Sequence, residues 1–131
     1  MNGWMKNLKP SFLPAGLWLI ISTVLLTLPG TAFPKEDWLS KIWFDKWVHI
    51  GMFFIMVVLF CWGILAKNQF RQKLSQYFLL AAFICLVYGA IMEFVQDNFI
   101  PNRGFDTGDI IADAAGCLAG WLFSVKRLLK K

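Results

Sequence analysis

Four long apolar segments, at roughly 12–29, 47–66, 77–95 and 110–125, leave this chain few ways to fold. Most approach the ~20 residues that carry a helix across a ~30 Å hydrocarbon layer. Inside such a layer the peptide groups find no water, so each segment must satisfy its own backbone and is predicted to be helical. With 131 residues, 58% of them hydrophobic, the chain has no length to spare for a second unit. The expected fold is therefore all-α: an integral membrane four-helix bundle, with residues 1–131 as one domain.

A net charge of +5 invites a nucleic-acid reading, but the placement of the charges argues against it. Lys6 and Lys9 precede the first segment, Lys67, Arg71 and Lys73 follow the second, and Lys126, Arg127, Lys130 and Lys131 follow the fourth. Nine of the 13 basic residues thus fall on one side of a four-span arrangement. All eight acidic residues fall on the other: Glu36, Asp37, Asp45, Glu93, Asp97, Asp106, Asp109 and Asp113. The bias of Lys and Arg toward the cytoplasm puts both termini inside a cytoplasmic membrane, and makes the basic tails topology signals. The lipid bilayer is the expected partner, and nucleic acid is not.

Gly30-Thr31-Ala32 resembles a weak signal cleavage site, but the apolar run before it is long for a secretory signal and reads as a retained helix. Cys61, Cys85 and Cys117 are odd in number and lie inside spans, so they suggest packing and no disulfide framework. Between the first two segments, Trp38, Leu39, Ile42, Trp43 and Trp47 stand near helical spacing. That pattern predicts an amphipathic segment in the interface, contributing to an aromatic belt.

Ionisable residues gather where three spans meet the acidic side. Asp45, Lys46 and His49 share one helical face by i, i+3 and i, i+4 spacing; Glu93 pairs with Gln96, and Asp109 with Asp113. Asp109 also suits an N-cap or first-turn acid at the positive end of its helix. A charge within the membrane costs roughly 2.5–3.5 kcal/mol on insertion scales, so these groups are expected to face the bundle interior. Lys46 and Arg103 would supply positive charge to that pocket. Ala112, Gly116 and Gly120 form a small-residue stripe that permits close packing, and Gly89 thins the third helix near Glu93. The plainer alternative is that Asp45–Lys46 and Glu93–Arg103 are ion pairs pinning loops to helix ends.

The pattern in DKWVH, then EFVQ, then RGFDTGD, and then the small-residue helix DAAGCLAG resembles the VanZ-like family over about residues 45–120. The family's small multi-span proteins include an accessory glycopeptide-resistance protein that lowers sensitivity to teicoplanin. The resemblance implies polar family positions at Asp45, Lys46, His49, Glu93, Gln96, Arg103, Asp106 and Asp109. Asp113 departs from the pattern, which commonly has asparagine there.

The expected site faces outward and recognises or modifies an anionic envelope component, lipid-linked or peptidoglycan-related. In it Glu93 and His49 handle protons, while Asp45, Lys46, Gln96, Arg103, Asp106, Asp109 and Asp113 bind the ligand. A non-catalytic accessory protein for envelope precursors, or for glycopeptide tolerance, needs the same basic groups without a proton carrier. A small proton-coupled transporter is a third reading, resting on Glu93 and Asp113. Metal binding by His49 with Glu93, Asp106 and Asp109 stays open, as do any cofactor and the oligomeric state.

Overall fold

The computed structural model describes residues 11–27, 44–65, 73–100 and 107–128, with only the backbone of 44 and 45. All regular structure among them is helical: α1 (Leu13–Leu26), α2 (Phe44–Ile64), α3 (Leu74–Phe99) and α4 (Thr107–Arg127). The expected interfacial segment falls at 38–43, outside the described residues. Trp47, which continues its pattern, opens onto the exterior of α2 at 64% exposure.

Three of the helices, α2, α3 and α4, are long and apolar enough to cross a bilayer. The 14 residues of α1 are apolar but rise only about 21 Å at 1.5 Å per residue. Pro14 occupies the first turn of α1, where its missing N–H costs no helical bond. At the other end the Thr27 hydroxyl donates to the Thr23 carbonyl, 2.9 Å away, which also accepts the Thr27 backbone N–H at 3.0 Å. The observed helices α3 and α4 extend past the predicted spans at both ends, because polar turns at the rims continue the backbone ladder.

The burial pattern is inverted relative to a water-soluble bundle. Leu17, Ile20, Leu79, Phe83, Ile91, Phe94, Ile111 and Leu118 point outward, while His49, Glu93, Gln96, Asp109 and Asp113 are buried. Apolar exteriors of this extent suit lipid as the solvent. The apolar core beneath the polar end is built from Phe53, Met56, Val57, Cys61, Phe78, Cys85, Met92 and Cys117. All three cysteines are free and buried.

The most extensive packing joins α2 to α4, which are not adjacent in sequence. Their contacts advance together, from Lys46–Asp109 and His49–Asp113 to Ile50–Gly116 and Phe54–Gly120, so the two helices run parallel. A Cβ on Gly116 would collide with the Ile50 carbonyl oxygen, and one on Gly120 would stand 2.9 Å from the Phe54 oxygen. Backbone meets backbone here, with the Val57 side chain also against Gly120, the close approach that small residues permit in lipid. α3 packs against both partners.

α1 joins chiefly through α2, and side-chain hydrogen bonds mark its contacts. The Trp18 indole N–H donates to the Met52 carbonyl at 3.0 Å. Thr23 and Tyr88 share a hydroxyl–hydroxyl bond of 2.6 Å. The Gln96 amide donates to the Leu26 carbonyl at 2.9 Å.

Candidate functional site

The parallel register of α2 and α4 sets the site. It brings the first turns of both helices side by side, while antiparallel α3 delivers its last turns to the same end. Lys46 and His49 project from α2, Asp109 and Asp113 from α4, and Glu93 from α3.

Lys46 Nζ donates to Asp109 Oδ1 at 2.7 Å, and the lysine is the more exposed of the two. The other oxygen of the same carboxylate, Oδ2, lies 3.7 Å from His49 Nε2. On the far side of the imidazole, His49 Nδ1 is hydrogen-bonded to Asp113 Oδ1 at 2.7 Å. Four residues thus form a continuous chain, Lys46–Asp109–His49–Asp113, in which the histidine bridges two acids one helical turn apart. Glu93, 1% exposed, closes the cluster from α3. Its carboxylate, a ring nitrogen of His49 and a carboxylate oxygen of Asp109 all lie within 4.8 Å of one another.

The surroundings are shaped to this chain. Phe53 lies parallel to the His49 ring, with centroids 6.5 Å apart and planes 5° from one another, and also touches Tyr88. Gly89 clears the space that the Asp113 carboxylate fills: a Cβ there would stand 2.5 Å from Asp113 Oδ2 and 3.0 Å from the Phe53 ring. One side of the cluster is therefore apolar, and the other carries charge.

Five of the predicted site residues, Lys46, His49, Glu93, Asp109 and Asp113, come together. Asp109 serves as a first-turn acid and not as the N-cap, because α4 begins two residues earlier at Thr107. Gln96 is buried on the same face of α3, but its amide is spent on the end of α1. Arg103 and Asp106 lie outside the described residues, as does the Asp45 side chain. Sequence reasoning passed over Phe53, although its place four residues after His49 put it on the same face. Chemically the cluster can hold a proton, bind a cation, or present Lys46 to an anion.

Comparison with known proteins places these residues in a wider group. A family profile described as VanZ/LLP1 matches residues 12–129. The chain is similar to "Uncharacterized protein C11E3.10" of Schizosaccharomyces pombe, 32% identical over 117 residues that cover 86% of this chain. It spans 63% of that curated relative's length. No solved structure matches.

Proposed function

Because the chain belongs to the VanZ/LLP1 family and is a membrane protein, we propose that its buried polar cluster is a ligand site on the outer face of a cytoplasmic membrane. Both termini then lie in the cytoplasm, as the basic flanks argue. The ligand is an anionic envelope component, lipid-linked or peptidoglycan-related. One observation carries the reading: three helices with apolar exteriors deliver five ionisable side chains to one end of the bundle. Structure alone does not call for such a cluster, since well-packed apolar residues serve stability as well or better than buried ion pairs.

In this reading Lys46 and Arg103 meet the anionic group, with the guanidinium able to make paired hydrogen bonds to phosphate or carboxylate. Lys46 suits the part because it is held by Asp109 yet remains about a quarter exposed. His49 and Glu93 form the proton-handling pair if the ligand is modified, and are dispensable as titrating groups if it is only bound.

Native mass spectrometry on protein extracted gently from membranes tests the proposal, with wild type beside Lys46→Ala and Arg103→Ala. The expected result is a phosphate-bearing lipid or wall precursor retained by wild type and lost from both variants. Bulk phospholipid carried equally by all three would refute it. Glu93→Gln separates the two forms of the reading, since a binding protein tolerates the change and an enzyme loses turnover.

A further inference from the structure

Among the described residues, three carboxyl groups, Glu93, Asp109 and Asp113, face two basic groups, Lys46 and His49. Glu93 and Asp113 are each 1% exposed. Carboxylates this deep need a counter-charge or a proton. The arrangement of donor atoms favours a particular counter-charge.

Each oxygen and nitrogen has a distinct task. Asp109 Oδ1 is taken by Lys46, which leaves Oδ2 turned toward His49 Nε2. His49 Nδ1 is taken by Asp113, so an imidazole donating that N–H presents the Nε2 lone pair on its other side. A ligating histidine in metalloproteins typically donates its second ring N–H to a carboxylate in this way, which fixes the ring and raises its basicity. The distances agree as well. Tetrahedral zinc ligands at about 2.0–2.1 Å stand roughly 3.4 Å apart. Here Nε2 and Oδ2 are 3.7 Å apart, and one ring nitrogen of His49, one Glu93 oxygen and one Asp109 oxygen lie within 4.8 Å of one another. Phe53, stacked beneath the imidazole, and Gly89, making room for Asp113, hold the supporting shell in place.

We infer that His49, Glu93 and Asp109 form a binding site for a divalent transition-metal cation of the zinc type, with Asp113 and Lys46 as its supporting outer partners. Three protein ligands leave a fourth position for water or an anionic group. With the metal bound, His49 and Glu93 serve as its ligands in place of a proton-handling pair, while the anionic ligand of the proposed function is left open.

The test uses full-length protein without a polyhistidine tag, purified in detergent, stripped with a chelator and dialysed against zinc. Elemental analysis should find about one zinc per chain in wild type, as for a single three-ligand site. His49→Gln and Glu93→Gln, which keep side-chain volume, should lose it while retaining their helical content. Asp113→Asn should weaken zinc binding by roughly 10–100-fold, the usual effect of altering a partner of a ligating histidine. Cobalt added to stripped wild type gives a second reading that needs no variant, through visible bands of a low-symmetry site that zinc then abolishes. Wild type that takes up no zinc and shows no such bands would overturn the inference, as would equal loading of wild type and both glutamine variants. Because no lipid is needed for any of these readings, their failure leaves the anionic-ligand proposal standing, and the converse also holds.

Discussion

Gly89 and Asp113, on different helices, fit together as a socket and its contents: a Cβ on the glycine would come within 2.5 Å of the aspartate's Oδ2. One of the cluster's two most buried acids is therefore accommodated by an absence on α3. Gly89→Ala should gain up to about 1 kcal/mol in helix propensity and lose roughly 1–3 kcal/mol to overpacking against Asp113 and Phe53. The expected net is a loss on the order of 1 kcal/mol, read by thermal unfolding in detergent. In an Asp113→Ala background the same glycine change should cost less, and a double-mutant cycle with no coupling would contradict the fit.

The seam between α2 and α4 makes a sharper demand. Gly116 faces the Ile50 carbonyl, a backbone atom that cannot rotate aside, whereas Gly51 has nothing within 4 Å of its would-be Cβ. Alanine at 116 should lower the unfolding temperature and spread the two helices, disturbing the Lys46–Asp109 pair above. Alanine at 51 should be neutral or stabilise by up to about 1 kcal/mol. Equal effects at the two positions would argue against the parallel seam.

For the hydroxyl pair, the expectation is modest. Tyr88→Phe removes the bond to Thr23, but Thr23 also donates to the Leu19 carbonyl at 2.8 Å and is not orphaned. Side-chain hydrogen bonds between membrane helices average about 0.6 kcal/mol, and a loss near that size is expected from a double-mutant cycle with Thr23→Val. A loss several times larger would mean that Tyr88 supports something more than α1.

Replacing Asp113 discriminates between shape and charge. Asparagine can still hydrogen-bond His49 Nδ1, so Asp113→Asn should leave the unfolding temperature close to that of wild type. Asp113→Leu strips a buried imidazole of its partner and should cost about 1–3 kcal/mol. If the two variants unfold alike, the 2.7 Å bond contributes nothing to stability.

Helix identity, and which ionisable residues share a helical face, were legible because both are written locally. Long apolar runs announce α2, α3 and α4, and i, i+4 spacing places Asp109 above Asp113 without reference to the rest of the chain. Pairing across helices was not legible. Spacing says which residues share a face and is silent on which face lies opposite. Lys46 bonds Asp109, 63 positions away, a partner that local spacing did not name. The offset that decides this comes from glycines at 116 and 120 fitting Ile50 and Phe54, a matter of shape complementarity. Gln96 shows the same limit, since its spacing from Glu93 pointed to the pocket and its amide went to α1.

Among the described residues, three side-chain hydrogen bonds tie α1 to its neighbours, and they have a mechanical meaning. Trp18, Thr23 and Leu26 are spread along the helix and attach to two different neighbours, Trp18 to α2 and the other two to α3. Pulled from its N-terminus, α1 would release these fastenings in turn, like stitches in a seam. Prising α2 from α4 would instead break a backbone-close contact over several turns at once. Force spectroscopy should accordingly record α1 leaving first, in small low-force steps, with the charged end of the bundle still assembled behind it.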